Sequence, residues 1–281
     1  MKTLFLGLTL LSTISAWANN NKELFEKMPG CQQSIEIGQD WMAVAHSYKS
    51  INLAHLHDNQ RKLSISLNDA ILDLYLEKDI LYVLTINSVE IFDLSLQKKI
   101  DQFKTLPGAQ IPFKAFEGPK GFAFNDGKIY IAHGRKGITV LDKSSGRLLS
   151  TIQVPGEAND IYFHHKEGWI LSDSVFYHDK ILVGLYQFDA DQEIITNQTH
   201  LDGAPTGDLF VDDRNIFVGK RFHWQLIKKK VLKKNYLARY KSVFFPTGMA
   251  SGKPFRDQEN LYYCQGPHLV PKVVIRNTIE R

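Results

Sequence analysis

The sequence LYVLT at residues 81–85 is followed, after three residues, by VEIFDL at residues 89–94. Both runs are short and rich in Val, Ile, Tyr and Phe, which is typical of β-strands joined by a tight turn. Similar pairs of runs occur at intervals of about 40 residues along the chain. The further pairs are WMAVAH (41–46) with INLAHL (51–56), and IYIAH (129–133) with ITVLD (138–142).

Each pair is flanked by two more short apolar runs, so the repeating unit contains four strands. Residues 70–76 and 98–103 flank one pair, and residues 121–124 and 147–154 flank another. The connections contain turn residues such as Asn125-Asp126-Gly127. A repeat of four short strands with this spacing is typical of a propeller blade.

The sequence therefore predicts an all-β fold, a single β-propeller of six four-stranded blades. A closed ring covers the sheet faces that an open stack would leave exposed. The fifth unit is the least regular, because residues 221–234 form a long basic segment. The six units are placed at about residues 33–68, 69–115, 116–155, 156–202, 203–244 and 245–281.

The composition is that of a soluble globular chain, with 43% hydrophobic and 23% charged residues. These fractions exclude a disordered chain, a collagen-like fibre and a small disulfide scaffold. The net charge of +4 is too small to indicate nucleic acid as a partner. The sequence also contains no P-loop, no dinucleotide fingerprint and no Gly-x-Ser-x-Gly elbow.

The first 18 residues have the layout of a secretory signal peptide. Lys2 supplies the basic start, residues 4–14 are nearly all apolar, and Ala16-Trp17-Ala18 is a small-x-small cleavage site. The apolar run is too short to span a membrane, and no later run is long enough. A buried N-terminal helix is the alternative interpretation. We expect a periplasmic or secreted protein with a signal peptide at 1–18, a lead-in at 19–32 and the propeller at 33–281.

Export would place the two cysteines in a compartment that permits disulfides. Cys31 precedes the first blade and Cys264 lies in the sixth, so a bridge between them would close the ring. The chain-entropy model gives a loop of this length about 4–5 kcal/mol of stabilisation. Two unpaired buried thiols are the alternative.

The repeat resembles the propeller families of the YVTN, NHL and SMP-30/gluconolactonase kinds. The resemblance is carried by the LYV-like second strands, and by Pro205-Thr206-Gly207 and Pro246-Thr247-Gly248 ahead of a first strand. It covers most of the mature chain. It implies the propeller architecture more strongly than any particular activity.

A ligand site is expected at one mouth of the central channel, where the second strands end and the first strands begin. Solvent exposure alone would also favour polar residues at strand ends. The second strands end at equivalent polar residues: His46, Thr85, His133, Asp173, Lys220 and Gln265. The first strands are entered through Asn68, Asp69, Lys120, Asn159, Asp160, Thr206, Asp208 and Thr247. The candidate binding residues are His46, Thr85, His133, Asp160, Asp173, Lys220 and Gln265.

The leading functional interpretation is an exported module that binds a protein, peptide, glycan or small ligand at this mouth, without a required cofactor. The alternative, implied by the SMP-30 resemblance, is a metal-dependent lactonase or esterase-like hydrolase. In that family a divalent cation such as Ca²⁺ or Zn²⁺ polarises the substrate carbonyl. Asn159 matches the metal-binding Asn, Glu36 is the candidate for the metal Glu, and Thr206 occupies the place of an essential Asp, with Asp208 two positions later.

Two further features have competing interpretations. A lysine run could contact an anionic surface, although lysines on a solvated strand edge are the commoner arrangement. The run comprises Lys228, Lys229, Lys230, Lys233 and Lys234. Strand alternation predicts that His164 and His165 point to opposite faces, whereas His55 and His57 share one face.

Overall fold

The computed structural model describes residues 34–58, 60–105, 118–177, 180–201, 205–220, 223–229, 236–238, 241–243, 250–256, 260–265 and 272–275. Within these ranges the regular structure consists of 24 β-strands, with no α-helix. No helix in the described ranges is long and apolar enough to cross a membrane. The predicted signal peptide at 1–18 and the lead-in at 19–32 lie outside the described residues.

Except for β20, the strands form antiparallel sheets in chain order. Four of the described sheets have four strands, one has five and one has three. Blade 1 contains β1 (Ile35–Ile37), β2 (Trp41–Ser47), β3 (Ser50–His55) and β4 (Lys62–Ser66). Blade 2 contains β5 (Ile71–Glu77), β6 (Ile80–Thr85), β7 (Ser88–Asp93) and β8 (Lys98–Lys104). Blade 3 contains β9 (Gly121–Asn125), β10 (Lys128–Ala132), β11 (Ile138–Asp142) and β12 (Leu148–Ile152).

Blade 4 carries an additional strand from the segment that follows β19 of blade 5. Blade 4 contains β13 (Glu157–His164), β14 (Glu167–Tyr177), β15 (Lys180–Asp189), β16 (Ile194–Leu201) and, parallel to β16, β20 (Tyr236–Ala238). Blade 5 contains β17 (Pro205–Val211), β18 (Asn215–Lys220), β19 (His223–Lys228) and β21 (Lys241–Val243). The last sheet contains β22 (Ala250–Arg256), β23 (Asn260–Gln265) and β24 (Lys272–Ile275).

The first strands surround the centre of the molecule. β5 contacts β9, β9 contacts β13, and β13 contacts β17. β22 contacts both β17 and β1, so the last sheet lies between the fifth and first blades. The described strands therefore form a single closed propeller.

The prediction of six four-stranded blades is wrong. Within the described residues, five blades have their four strands, blade 4 with β20 as an additional strand, and the last sheet has three. The last sheet, β22–β24, is therefore the one that departs from the predicted count. A separate departure follows the lysine-rich segment, where β20 pairs in parallel with β16 of blade 4. The predicted bridge involves Cys31, which lies outside the described residues, and Cys264, which is on β23 but has no described side chain. The bridge remains a prediction.

The hydrophobic core lies between adjacent blades. One cluster joins Trp41 and Leu53 of blade 1 to Leu74 and Val83 of blade 2. Equivalent clusters join blades 2 and 3, blades 3 and 4, and blades 4 and 5. The second strands are apolar on both faces because each is covered by neighbouring blades. The outer strand β8 is mostly exposed, which explains its polar sequence.

A β-bulge recurs near the start of the first strand in several blades. In β5 the register shifts between Ile71 and Asp73, and in β13 it shifts between Ala158 and Asp160. Leu72 and Asn159 are therefore the extra residues of equivalent bulges. A bulge turns a side chain away from its regular strand direction. This local irregularity positions the residues described below.

Candidate functional site

The turns between second and third strands and the residues that enter the first strands meet at one face of the ring. We call this face the rim. Two backbone contacts show how it is assembled: Ile71 N donates to Tyr48 O at 2.7 Å, and Gly134 pairs with Ala158. At these two junctions the turn of one blade is thus joined to the first strand of the next blade.

Two of the predicted rim residues complete the architecture of the ring. Thr85 is buried, and its Oγ1 accepts the Ser88 N–H at 3.0 Å and the Asn87 N–H at 3.3 Å, which stabilises the β6–β7 turn. Asp160 is also buried, and its carboxylate accepts N–H groups from Ile161 and Leu209, each at 2.8 Å. Asp160 therefore connects blade 4 to blade 5.

Asp73 repeats the arrangement of Asp160 two blades earlier. Its carboxylate accepts the N–H of Leu74 at 2.9 Å and the N–H of Phe122, in blade 3, at 3.2 Å. The space for the Asp160 carboxylate depends on Gly121, where an added Cβ would lie 2.3 Å from Asp160 Oδ1. These aspartates satisfy backbone groups between blades, as buried polar groups must.

A different kind of polar group occupies the rim between blades 3 and 4. Lys120 Nζ donates to Asn159 Oδ1 at 2.6 Å, and Asn159 Nδ2 donates to Asp173 Oδ2 at 2.5 Å. Arg135 Nε donates to Glu157 Oε1 at 3.0 Å, while Lys120 Nζ lies 3.9 Å from Glu157 Oε2. We call these five residues the Lys120 cluster. Side chains from two blades thus form one connected set of charged and amide groups.

The bulge in β13 places Asn159 in this cluster. At the equivalent bulge in blade 2, Leu72 packs against the core between blades 2 and 3. The same backbone feature therefore supports an apolar contact in one blade and a polar side-chain network in another. The ring does not require an amide at this position.

The cluster also contains an unfavourable pair of acidic residues. Glu157 and Asp173 are direct partners across β13 and β14, and like charges in this position repel. The cationic side chains of Lys120 and Arg135 offset this repulsion. Burial lowers the pKa of Lys120, an effect that the charges of Glu157 and Asp173 oppose.

His133 lies beside the cluster, at the end of the second strand of blade 3. It is fully buried, and its Nδ1 lies 3.0 Å from Thr139 Oγ1, whereas its Nε2 has no hydrogen-bond partner. Burial, with a smaller contribution from Lys136, lowers the pKa of His133 to about 4. His133 is therefore neutral at pH 7.

The remaining candidate residues are spread around the ring. His46, Lys220 and Gln265 lie on β2, β18 and β23, and their side chains are outside the described set. Glu36 lies on β1, and Asp208 lies on β17 without a described side chain. Asn159 Oδ1, the atom that a metal would use, already accepts the Lys120 ammonium. The hydrolase interpretation therefore remains a prediction.

Two lysines of the basic run lie within the described residues, and their surroundings differ. Lys228 is exposed. Lys229 Nζ lies 2.9 Å from a Glu167 carboxylate oxygen and 5.7 Å from the centre of the Trp169 ring. Lys230, Lys233 and Lys234 lie outside the described residues. An anionic surface contact remains a prediction.

The sequence located three members of the cluster, namely Lys120, Asn159 and Asp173, by aligning strand ends. It missed Arg135 and Glu157. Glu157 could have been recognised from the sequence, because it is an acidic residue two positions before Asn159 on a strand that is otherwise largely buried. Arg135 gave no signal, because its turn is joined to β13 only by the fold.

Four-stranded meanders arranged around a common centre define the class of the protein, a β-propeller built from repeats. No family model matches the sequence, and no curated protein matches it. Solved propellers do match. The Pan2 WD40 domain of Neurospora crassa has a TM-score of 0.59 and 10% identity, over 84% of this chain and 73% of that domain chain.

Two other structures give comparable similarity. A chain of the mitotic checkpoint complex has a TM-score of 0.58 and 10% identity, over 84% of this chain and 70% of that chain. The computationally designed Ika8 protein has a TM-score of 0.53 and 8% identity, over 88% of this chain and 72% of that chain. At such low identity the likeness establishes the propeller fold alone. Membership of the YVTN, NHL or SMP-30 families is not confirmed.

Proposed function

We propose that this protein is an exported binding module that recognises a polypeptide partner at the rim, through the Lys120 cluster. The observation that carries the proposal is the continuous set of contacts from Asp173 through Asn159 and Lys120 to Glu157. This set occupies a bulge that blade 2 fills with Leu72. Because the ring can be built without it, we assign the cluster to recognition.

The fold supports a protein partner by analogy. Propellers present a rigid ring of turns and frequently serve as binding platforms, although a fold alone does not define a function. One of the similar structures is a chain within the mitotic checkpoint complex, which is an assembly. The polypeptide partner of the present chain is an inference from this analogy and from the chemistry of the rim.

The charges indicate which group of the partner would bind. Lys120 is only partly exposed, and burial lowers its pKa despite the nearby carboxylates of Glu157 and Asp173. A carboxylate of the partner beside Lys120 would strengthen the charged form of the lysine. Arg135 is exposed at the same place and adds a second cation. We therefore expect an acidic side chain or a C-terminal carboxylate to enter the cluster, with binding that weakens as salt is added.

Photo-crosslinking tests the proposal with little change to the rim. Tyr48 is an aromatic residue on the rim with 65% of its surface exposed, so p-benzoylphenylalanine replaces it conservatively. Leu96 is 60% exposed in the β7–β8 turn on the opposite face and provides the control position. Irradiation in an extract of the native host should give a discrete protein adduct from position 48 and none from position 96.

Two lysines provide a matched pair for assigning the adduct to the cluster. Lys120 and Lys128 both lie between blades 3 and 4, with 26% and 32% of their side chains exposed. Lys128 is on the face opposite the rim, where it pairs with Glu193 at 2.9 Å. Lys120→Met should lower the yield of the adduct at least tenfold, whereas Lys128→Met should not change it. An adduct that survives Lys120→Met and Asp173→Asn would refute the proposed site.

The export part of the proposal rests on the sequence pattern of residues 1–18. N-terminal sequencing of the mature protein should begin near Asn19. Oxidation in the exported compartment is expected to join Cys31 to Cys264, and mass spectrometry without reduction should recover the linked peptides. An intact Met1 in the native protein would contradict export, and two free thiols in the oxidised protein would contradict the bridge.

A further inference from the structure

Two turns on the face opposite the rim bring two histidines and an aspartate together. His164 Nε2 lies 2.8 Å from Asp213 Oδ1, and His165 Nε2 lies 3.6 Å from the same oxygen. The three side chains each offer one ligand atom, and all of these atoms lie within 4.8 Å of one another. Within the described part of the chain, no other three His, Cys, Asp or Glu side chains come together with that spacing.

The turn conformation overturns the expectation from strand alternation. β13 ends at His164 and β14 begins at Glu167, so His165 lies in the turn between them. His165 has φ of 53°, in the left-handed region, and the two imidazole centres are 4.3 Å apart. Adjacent residues in an extended strand would point to opposite faces. The left-handed turn instead directs both imidazoles toward the same carboxylate.

The aspartate is held by a second turn in the next blade. Asp212 Oδ1 accepts the N–H groups of Arg214 at 2.8 Å and Asn215 at 2.7 Å, which fixes the turn between β17 and β18. Lys229 N donates to Arg214 O at 2.8 Å, and Lys229 Nζ lies 2.9 Å from Glu167 Oε2. These contacts connect the Asp213 turn to the histidine turn. The three side chains are therefore presented by two turns that are tied to each other.

We propose that His164, His165 and Asp213 form a binding site for a divalent transition-metal ion, with Zn²⁺ as the best match. Two imidazole nitrogens and one carboxylate oxygen are ligands that zinc uses in proteins. Ligand atoms around tetrahedral zinc, with bonds of about 2.0–2.1 Å, are separated by about 3.3 Å. The observed separations of 2.8 and 3.6 Å bracket that value. Three protein ligands leave a coordination position for water or for a group of a partner.

The site would link blades 4 and 5, because the histidines belong to one blade and the aspartate to the next. Metal binding should therefore stabilise the junction between these blades, and the effect should increase with metal concentration. The Lys120 cluster lies on the rim, so the metal site does not depend on the proposed binding function. Each proposal can fail while the other holds.

Titration of tag-free protein with zinc chloride tests the site. Calorimetry should detect uptake of one zinc ion per chain, and cobalt substitution should produce the visible absorption of a tetrahedral centre. His164→Ala and Asp213→Asn should each weaken zinc binding at least tenfold. Asp213 is exposed and His164 is partly buried, and circular dichroism with the thermal midpoint in the absence of metal checks that the variants fold.

The chain offers a matched control in blade 1. His57 Nε2 lies 3.6 Å from Asp40 Oδ1, and the His55 and His57 rings are 5.9 Å apart, but these residues do not form a group of three ligand atoms. His57→Ala should leave zinc affinity unchanged. Zinc should also raise the thermal midpoint of the wild type but not that of Asp213→Asn. The proposal is overturned by the absence of saturable zinc uptake, or by equal uptake in the wild type, His164→Ala and Asp213→Asn.

Discussion

Asn159 and Asp160 are neighbours on β13, but their side chains serve different parts of the molecule. The Asp160 carboxylate accepts backbone N–H groups of Ile161 and Leu209, so it holds one blade to the next. The Asn159 amide contacts the side chains of Lys120 and Asp173. One residue therefore supports the backbone of the ring, and the other joins a side-chain network at the rim.

The repeat distinguishes the two roles. The contacts of Asp160 recur at Asp73, which also reaches an N–H of the following blade. The position of Asn159 is occupied in blade 2 by Leu72, which packs against the core. A polar contact that recurs around the ring is explained by the architecture, whereas one that departs from the repeat needs another explanation. This reasoning separates candidate binding residues from structural ones when both are polar and buried.

Removal of the structural carboxylate of Asp160 is expected to have the largest effect on stability. Asp160→Ala leaves two buried N–H groups without an acceptor, and each costs about 1–3 kcal/mol. We expect the free energy of unfolding to fall by about 4 kcal/mol in urea titrations. Asp73→Ala should have a similar effect, because its carboxylate makes the equivalent contacts.

Asp142 provides the control for this prediction. Its carboxylate accepts hydrogen bonds from Ser144 and Ser145, but it does so in an exposed turn where water can replace it. Asp142→Ala should therefore cost much less than Asp160→Ala. Equal losses in the two variants would show that the contacts between blades are not the source of the stability.

The second prediction concerns pH and the buried histidine beside the cluster. The pKa of His133 is lowered to about 4 in the folded protein, while the unfolded chain retains a value near 6.5. Between these values the unfolded state binds more protons, so stability falls as the pH decreases from about 6.5 to about 4. The loss attributable to His133 should approach about 3 kcal/mol.

His133→Asn isolates this contribution, because the amide can keep the contact with Thr139 without an imidazole to protonate. Unfolding in urea at pH 7 and pH 4.5 should show a smaller loss for the variant than for the wild type. An identical pH dependence in both proteins would mean that another group is responsible.

The hydroxyl of Thr85 is expected to contribute less to stability than the carboxylate of Asp160. Thr85→Val removes the hydroxyl that accepts the N–H groups of Ser88 and Asn87 while keeping the side-chain shape. We expect a loss of about 2 kcal/mol in the free energy of unfolding. Thr85→Ser should recover most of it, since the hydroxyl returns. A serine variant as unstable as the valine variant would assign the loss to packing.

The smallest effect on stability is expected for a substitution in the Lys120 cluster. Lys120→Met retains most of the length of the side chain, and Glu157 and Asp173 keep their contacts with Arg135 and Asn159. The variant loses the hydrogen bond to Asn159, so the free energy of unfolding should fall by about 1 kcal/mol. Urea titration beside Lys128→Met provides the comparison. A loss in Lys120→Met as large as that in Asp160→Ala would make the cluster structural.

The sequence predicted the propeller because the second and third strands are buried between neighbouring blades and must be apolar. That requirement makes residues 81–94 and 129–142 recognisable as hairpins. It does not act on β20, which has three residues and pairs with the distant strand β16. The pairing of β20 with blade 4 could not be predicted for this reason.

The site was only partly predictable from the sequence. Strand alignment identified Asp173 and Asn159, but it treated Thr85 and Asp160 in the same way, although their partners are backbone groups. The difference depends on the bulge in β13 and on contacts between blades, which no local pattern encodes. The same limitation applied to His164 and His165, whose turn reverses the alternation of the strand.

The most direct test of the account compares the cross-linked adduct from position 48 in Lys120→Met and Lys128→Met at equal concentrations of folded protein. The two lysines are similarly exposed between the same blades and differ in the face they occupy. We predict at least a tenfold lower yield for Lys120→Met and an unchanged yield for Lys128→Met. Equal yields in the two variants would contradict the assignment of the Lys120 cluster to partner recognition.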